Sequence, residues 1–478
     1  MVNFFNKYIE AINRLDPIKA IGTVTKIEGL LIYSIGPVAE LGELCHVVCK
    51  SLERIIWAEV VGFDLGVIKL MTFTEMHGIE IGAKVVASGS ALTVPLSDNI
   101  IGRIVDCMGR PIDFKGGIDA ILRKSIFATP PDPLLRNPIK EQICTGVRSI
   151  DSLLSIGRGQ RIGVFSGSGV GKSTLLGMIA RNSTADINVI ALVGERGREI
   201  RDFVENDLGK EGMKRSILIA SASNEPPLAR LRAAFVATTI AEYFRDCGKQ
   251  VMLLFDSVTR VARAQREIGL AAGEPPAMRG FTPSVFSLLS KLLERSGSGD
   301  KGAITAFYTI LVEGDDMDEP ISDAVRGVLD GHIVLSRKLS EQAHFPAVDV
   351  LRSVSRLANK VTSKEIQLMA NRLKKILAIY AQSEDLIDVG AYEAGSNPEI
   401  DEAIEKIPAI NQFLIQNVDD ASTLSETKEA LEGILAFPGQ LHSSVPKDTG
   451  SDLANSGVGI FPDENFEVNL PIDKELRS

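Results

Sequence analysis

The sequence predicts an α/β protein in which a small β-barrel comes first, a core with a parallel sheet follows, and a helical domain comes last. Residues 20–94 consist of short β-rich runs broken by glycine. From residue 161 to residue 336, continuous apolar runs alternate with helical patterns, and beyond residue 358 the apolar spacing is helical throughout. These three sequence patterns predict the order of the domains along the chain.

The composition is that of an ordinary globular protein. The 478 residues include 52 Lys and Arg against 62 Asp and Glu, which gives a net charge of −10 at pH 7. This net negative charge argues against a main role in binding nucleic acid or an anionic membrane. Five cysteines are too few for a disulfide framework, and no apolar run approaches the roughly 18 residues that span a bilayer. We therefore expect a reduced, soluble, cytoplasmic protein without a secretory signal.

The N-terminal part divides into three segments. Apolar side chains at helical spacing over residues 1–19 predict either a surface helix or a helix that docks on a partner or a membrane. Regular turn signals without a helical period over residues 20–95 predict a closed barrel. A proline-rich linker, 96–145, leads into the core, which we predict to span residues 96–357 with that linker included.

Six continuous apolar runs in the core predict a parallel sheet that is covered on both faces. They are Arg161–Ser166, Ile187–Val193, Ser216–Ser221, Val251–Asp256, Ile304–Leu311 and His332–Ser336.

The C-terminal part is predicted to be a helical domain over residues 358–437. Thr362 and Glu365 fit a capping box at the start of its first helix. Residues 438–478 are rich in Ser, Gly, Asp and Pro, which predicts a flexible tail.

The strongest chemical signal is a glycine-rich run between a predicted strand and a predicted helix. It comprises Ser166, Gly167, Ser168, Gly169, Val170, Gly171, Lys172, Ser173 and Thr174. Such a P-loop wraps backbone N–H groups around a phosphate chain, with the lysine on the β- and γ-phosphates and the following hydroxyl on Mg²⁺. Ser166 stands where the strict pattern has glycine, which requires that its φ be negative.

Two carboxylates are candidates for hydrolysis of the bound nucleotide. Asp256 ends an apolar strand, where it could hold Mg²⁺ through water, and Glu195 follows another strand, where it could activate water. The ends of parallel strands converge on a P-loop at the same edge of the sheet. The alternatives are a helix cap for Asp256 and a solvated loop position for Glu195.

Four further stretches carry a resemblance to a known family. Residues 193–203 (VGERGREIRDF), 223–246, 256–276 and 331–356 together resemble the rotary ATPase superfamily. Within it, the chain is similar to the export ATPases of bacterial flagellar and type III secretion systems. The resemblance covers about residues 20–435.

The resemblance implies a role for individual residues around the phosphates. Lys172 matches the P-loop lysine, Glu195 the catalytic glutamate, and Asp256 the Walker B aspartate that holds the metal with Ser173. Arg196 is implied to be a structural or relay arginine beside the site.

It also implies roles for residues farther along the chain. Arg356 matches the arginine finger that reaches across a subunit interface, and Phe345 falls where an aromatic ring packs on adenine. A second adenine-contacting aromatic is expected near Phe413, but the alignment places Val418 there. The weaker finger candidates, Arg260 and Arg352, are expected to be ion-paired at the interface.

The architecture implied by the resemblance is a β-barrel, a RecA-like core and a helical domain, assembled into a homohexameric ring. Glu195 and Arg356 occur in one chain, so identical copies could complete each other's sites. The implied cofactor is Mg²⁺ with ATP as substrate. The implied partners are export-gate and stalk proteins, a regulator on the N-terminal helix, export chaperones and their substrates, at the inner membrane and without nucleic acid.

The resulting hypothesis is an Mg²⁺-dependent ATPase that energises flagellar protein export. The run Ala262–Glu267 and the run after the P-loop favour flagellar use over the alternative, an injectisome ATPase. A catalytic subunit of an F- or V-type ATP synthase is disfavoured by the finger segment and by Ser166. A hexameric helicase is disfavoured by the acidic balance, and a non-catalytic scaffold by Glu195.

Overall fold

The computed structural model describes residues 20–49, 54–312, 314 and 316–435. The predicted docking helix at 1–19 and the predicted tail at 438–478 lie outside the described residues. Within the described part of the chain, every helix is too short or too polar to cross a membrane.

The first described residues form a closed antiparallel barrel of six strands, as predicted. Its strand order is β1-β2-β5-β4-β3-β6. Alternate residues point inward, so that Ile56, Ala58 and Val60 of one strand are buried together. The strands are β1 (Ile21–Glu28), β2 (Leu31–Ile35), β3 (Glu43–Cys49), β4 (Arg54–Asp64), β5 (Val67–Thr72) and β6 (Lys84–Ala91).

The segment that we predicted as a linker contains short strands of its own. Strand β7 (Thr93–Leu96) pairs with β9 (Leu122–Ser125), and β8 (Ile104–Val105) joins the edge of the core sheet beside β12 (Ser216–Ala222). Two- and four-residue strands carry too few residues to show a period in the sequence. The pairing of β8 with β12 joins this segment to the core sheet, whereas β7 and β9 form a separate two-stranded sheet.

The core is a nine-stranded sheet in the order β17-β16-β10-β15-β13-β11-β12-β8, with β14 paired to β15. All pairs are parallel except those that β14 and β17 form, which are antiparallel. The remaining strands are β10 (Arg161–Ser166), β11 (Ile187–Glu195), β13 (Gln250–Asp256), β14 (Gly297–Ser298), β15 (Ala303–Leu311), β16 (Gly331–Leu335) and β17 (Val348–Ser355).

The sheet is buried on both faces, which explains its continuous apolar strands. In β11, Val189, Ala191 and Val193 belong to one hydrophobic cluster, whereas Ile190 and Leu192 belong to another. Each of the six predicted core strands is present within a residue or two of its predicted bounds.

Helices cover the two faces of this sheet. They are α1 (Arg148–Leu153), α2 (Lys172–Asn182), α3 (Gly197–Asp202), a π-helix (Phe203–Leu208), α4 (Gly209–Met213), α5 (Pro227–Asp246), α6 (Val258–Ala272), α7 (Pro283–Glu294), α8 (Pro320–Val328) and α9 (Arg337–Glu341). Short 3₁₀ turns lie at Asp98–Ile100, Pro133–Leu135 and Met278–Gly280.

The last described part is helical, as predicted. The helices are α10 (Ala358–Val361), α11 (Lys364–Asp388), α12 (Pro398–Leu414) and α13 (Leu424–Leu435). The predicted capping box is wrong by one residue. Ser363 caps α11, since its side chain accepts a hydrogen bond from the Ile366 N–H, whereas the Thr362 hydroxyl donates backwards to the Ala358 carbonyl.

Candidate active site

The candidate site lies at the carboxyl edge of the core sheet. Strands β10, β11 and β13 are parallel and end at Ser166, Glu195 and Asp256. In the register of β11 and β13, Leu192 lies opposite Asp256, so Glu195 extends beyond the neighbouring strand end. The sheet topology therefore brings together three predicted site residues that lie as far as 90 positions apart in the chain.

The P-loop has the backbone that its glycines predict. Gly169 and Gly171 have φ of +79° and +88°, which side chains with a Cβ rarely adopt. The φ of Ser166 lies outside this left-handed region, because the residue still belongs to β10. The condition for accepting serine in place of glycine is therefore met. Helix α2 begins at Lys172, so its first N–H groups face the loop.

The P-loop lysine is held by two carboxylates. Lys172 Nζ lies 2.5 Å from Asp256 Oδ1 and 3.8 Å from Glu195 Oε1. The Thr309 hydroxyl donates a second hydrogen bond of 2.9 Å to Asp256 Oδ1. Asp256 is thus fixed by groups from α2 and β15, which argues against a role limited to capping α6.

Glu195 is buried beside a second cation. Its side chain lies 3.0 Å from Arg260 Nε, and only 6% of the residue is exposed. Burial, followed by the charge of Asp256 and a hydrogen bond with Glu199, raises the pKa of Glu195 to about 7, while Lys172 and Arg260 oppose the rise. A carboxyl group with a pKa near neutrality is suited to general base catalysis. The alternative of a solvated loop glutamate is not supported.

A cavity of about 600 Å³ opens in front of these groups. Backbone and side chains of the P-loop form one wall, and Glu195, Arg196 and Arg260 form another. Arg196 is exposed and pairs with Glu199 at 3.3 Å, so it lies at the rim of the cavity. The implied structural or relay role of Arg196 stays a prediction.

The oxygen donors present fit a magnesium ion that is shared with phosphates. Exposed Ser173 offers a hydroxyl and Asp256 a carboxylate, and Mg²⁺ prefers one or two such protein ligands together with water and phosphate oxygens. No group of three or more His, Cys, Asp or Glu side chains that could hold a metal occurs among the residues the structure describes.

Two cavity arginines were missed by the sequence analysis. Arg263 and Arg337 both line the cavity. Arg263 lies three residues after Arg260 on α6, and side chains at this spacing share a helix face. That spacing could have identified Arg263 from the sequence, whereas Arg337 follows β16 without a distinguishing pattern.

Phe345 lies against the P-loop. Its Cδ1 is 3.7 Å from the position that a Cβ on Gly171 would take, and 42% of the residue is exposed. The predicted second aromatic is not available at Phe413, which is 6% exposed and packs in the core with the Arg148 guanidinium 5.9 Å from its ring. Val418 is exposed, and it is aliphatic.

Arg356 does not reach the P-loop of its own chain. Strand β17 is antiparallel to β16, with Ser355 opposite Gly331, and the Arg356 N–H donates to the Asp330 carbonyl. Arg356 thus lies at the amino end of the core strands, and the length of β10 alone separates the two edges by about 17 Å. Its side chain is exposed and has no ion pair with any described residue.

The two weaker finger candidates lie elsewhere. Arg260 forms an ion pair inside the chain, with Glu195, and its expected pairing at an interface stays a prediction. Arg352 lines a small cavity of about 170 Å³ with Ser166 and Gly167. It has no ion-pair partner within residues 20–49, 54–312, 314 and 316–435.

Comparison with known proteins identifies two matching families. Residues 146–355 match the nucleotide-binding domain of the ATP synthase alpha/beta family, and residues 362–433 match the T3SS EscN ATPase C-terminal domain. The chain is 55% identical over 425 residues to a flagellum-specific ATP synthase of Treponema pallidum, with 89% of this chain and 95% of the relative covered.

Two further proteins extend the comparison. A flagellum-specific ATP synthase of Bacillus subtilis is 53% identical over 427 residues, which cover 89% of this chain and 98% of that protein. The assembled ATPase EscN in complex with its central stalk EscO, from the type III secretion system of enteropathogenic E. coli, is similar in structure. The TM-score is 0.81 at 44% identity, over 87% of this chain and 100% of that chain. The chain therefore belongs to the flagellum-specific and type III secretion ATPases of the ATP synthase alpha/beta family, and it hydrolyses ATP.

Proposed function

We propose that this chain is the Mg²⁺-dependent ATPase of a flagellar protein export apparatus and works as a homohexameric ring. One observation carries the proposal. Lys172, Glu195 and Asp256 converge at one edge of the sheet, whereas Arg356 lies unpaired, within the described residues, at the other edge. One chain thus holds two incomplete halves of a site, which identical copies in a closed ring would complete.

The proposed chemistry is in-line attack of water on the γ-phosphate. Glu195 orients the water and accepts its proton, which its raised pKa favours near neutral pH. Lys172 binds phosphate oxygens, and the P-loop N–H groups hold the phosphate chain. Ser173 and Asp256 would hold Mg²⁺, which would supply positive charge beside the phosphate oxygens. Arg356 of a neighbouring copy stabilises that charge from the other side.

The adenine would pack on the exposed ring of Phe345, which adjoins the P-loop. The opposite wall of the base site would lack an aromatic ring, since Phe413 is buried in the core. We propose the domain boundaries 20–95, 96–357 and 358–437, and the structure describes the last of these domains as far as residue 435.

The proposed partners follow from relatives. EscN assembles and binds a central stalk, which supports a ring with a stalk protein for this chain. We also propose contacts with the export gate, with a regulator that binds residues 1–19, and with export chaperones and substrates, at the cytoplasmic side of the inner membrane. No contact with nucleic acid is proposed.

An injectisome ATPase is the second candidate function. The 44% identity to EscN supports it, while the 55% and 53% identities to the flagellar relatives favour flagellar export. An F- or V-type catalytic subunit and a helicase receive no support from these relatives.

The test is the ATPase rate of the purified chain in the presence of Mg²⁺, measured against protein concentration. Specific activity should rise steeply and then saturate, because assembly builds the site. Constant specific activity down to nanomolar concentrations would contradict an inter-subunit site. Single-stranded RNA and DNA serve as controls, and strong stimulation by either would favour the helicase.

A further inference from the structure

The segment that follows α12 is bound to the nucleotide-binding core through Gln416. This side chain is 4% exposed although it belongs to a connecting segment. Its Nε2 donates to the Gly146 carbonyl at 2.8 Å and to the Asp420 carbonyl at 3.0 Å, and its Oε1 accepts the Arg148 N–H at 2.9 Å. The carboxamide thus uses both of its donor hydrogens and its acceptor.

The backbone of the same residue holds the aromatic ring at the P-loop. The Gln416 N–H donates to the Phe345 carbonyl at 2.9 Å. Phe345 itself is 42% exposed, so packing holds its ring only in part. The hydrogen bond from the Gln416 N–H to its carbonyl therefore contributes to where the ring lies.

A second contact ties the same segment to the core. Arg148 donates from Nε to the Phe413 carbonyl at 2.9 Å and from Nη2 to the Ile415 carbonyl at 2.5 Å. The segment around Gln416 is therefore fixed to α1 of the core rather than to the helices α11 and α13 alone. Because the Gln416 side chain makes three hydrogen bonds, it fixes the backbone N–H of Gln416 relative to the core.

We propose that Gln416 is a positioning residue for the nucleotide base, which acts by holding Phe345 against the P-loop. It does not touch the nucleotide. The inference rests on the proposed packing of adenine on Phe345 and adds a residue that sets how tightly the base is bound. The loss of its side chain should weaken ATP binding and leave the chemical step unchanged, because Lys172, Glu195 and Asp256 are held by other groups.

The experiment compares four single variants and one double variant of the full chain at saturating protein concentration. Gln416→Ala removes the carboxamide, and Gln416→Met removes its hydrogen bonds while filling the same space. Phe345→Ala tests the ring itself, and Gln412→Ala is the matched control, since Gln412 is exposed on α12 and its side chain makes no hydrogen bond with the described residues around Gln416. The measurements are KM and kcat for ATP, the Kd of a fluorescent ATP analogue, and the melting temperature.

Both Gln416 variants should raise KM and Kd about fivefold, with kcat within about twofold of the original. Phe345→Ala should raise KM at least as much, and Gln412→Ala should change nothing. The double variant Phe345→Ala/Gln416→Met should bind ATP no worse than Phe345→Ala alone, since Gln416 acts only through the ring. A residue that merely stabilises the fold would not produce this non-additivity.

Two results would overturn the inference. One is an unchanged KM in folded Gln416→Met, and the other is multiplication of the two effects in the double variant. If Phe345→Ala alone raises KM, the proposed base site stands while the role of Gln416 fails. If Phe345→Ala leaves KM unchanged, the proposed base site fails, and this inference fails with it.

Discussion

Arg260 Nε lies 3.0 Å from Glu195 Oε1, so the candidate base of this ATPase is paired with an arginine of its own chain. The pair joins the end of β11 to α6, and the carboxylate also has Lys172 at 3.8 Å. These two cations oppose a rise in pKa that burial and the charge of Asp256 produce. These opposing effects leave Glu195 with a pKa of about 7, which lies within the physiological range. A small change in the charge around it therefore changes how much of Glu195 is ionised.

The pH dependence of kcat/KM should report this carboxyl. Protonated Glu195 cannot accept a proton from water, so kcat/KM should fall about tenfold per unit below pH 7 and level off above it. Arg260→Gln removes a positive charge that favours the carboxylate, so the pKa rises and the inflection should move to higher pH. Arg198→Gln, at an exposed position, should leave it in place. A shift to lower pH in Arg260→Gln would contradict this assignment.

Two inactive variants should regain ATPase activity when they are mixed. Glu195→Gln removes the proposed base and Arg356→Ala removes the proposed finger, so each alone should lose at least about a hundredfold in kcat. When the two are mixed in equal amounts before assembly, about a quarter of the interfaces combine an intact base with an intact finger. Steady-state ATPase activity should therefore return to about a quarter of the original.

The control for this mixture pairs Glu195→Gln with Lys172→Ala. Both defects lie on the P-loop side of the site, so no interface is complete and no activity should return. The absence of activity in the first mixture would show that Arg356 does not complete the site of a neighbouring copy.

Glycine is required at one position and replaceable at another. Gly171 is the N-cap of α2 and has φ of +88°, so Gly171→Ala should weaken the binding of a fluorescent nucleotide about tenfold through backbone strain. Gly433 lies within α13, with open space where a Cβ would be, so Gly433→Ala should stabilise the fold by about 1 kcal/mol. Nucleotide titration and thermal melting measure the two effects. Unchanged nucleotide affinity in Gly171→Ala would count against the strained loop.

The barrel is attached to the core by a buried ion pair. Arg232 of α5 donates from Nε to Glu59 Oε2 of β4 at 2.7 Å, and only 1% of the Glu59 side chain is exposed. Glu59→Ala leaves the arginine buried without its partner, so the free energy of unfolding should fall by about 3–5 kcal/mol. Glu75→Ala, in an exposed pair with His77, should change it by less than about 1 kcal/mol. Denaturant unfolding measures the free energy of unfolding of both variants. Equal losses in Glu59→Ala and Glu75→Ala would contradict the claim that the buried ion pair attaches the barrel to the core.

Much of the fold could be predicted because its signals are local. The apolar runs of the core strands, the glycines of the P-loop and the helical spacing beyond residue 358 each lie within a short stretch of chain. The two-residue strand β8 escaped prediction because its place in the sheet depends on β12, more than 100 residues later. The cap of α11 moved from Thr362 to Ser363, since either hydroxyl suits the sequence and only the backbone path decides between them.

The chemical groups of the site can be identified from local patterns in the chain: a phosphate-binding loop, carboxylates at strand ends, and an arginine in a finger-like segment. Which of these groups meet depends on how the strands and helices are arranged in space. Arg260 reaches Glu195 because β11 and β13 are adjacent, although 65 residues separate the pair. Arg356 lies at the opposite edge because β17 runs antiparallel, and Phe413 is buried because α12 packs on the core. Periodicity records each residue's neighbours along the chain, whereas contacts across a sheet depend on strand order and direction.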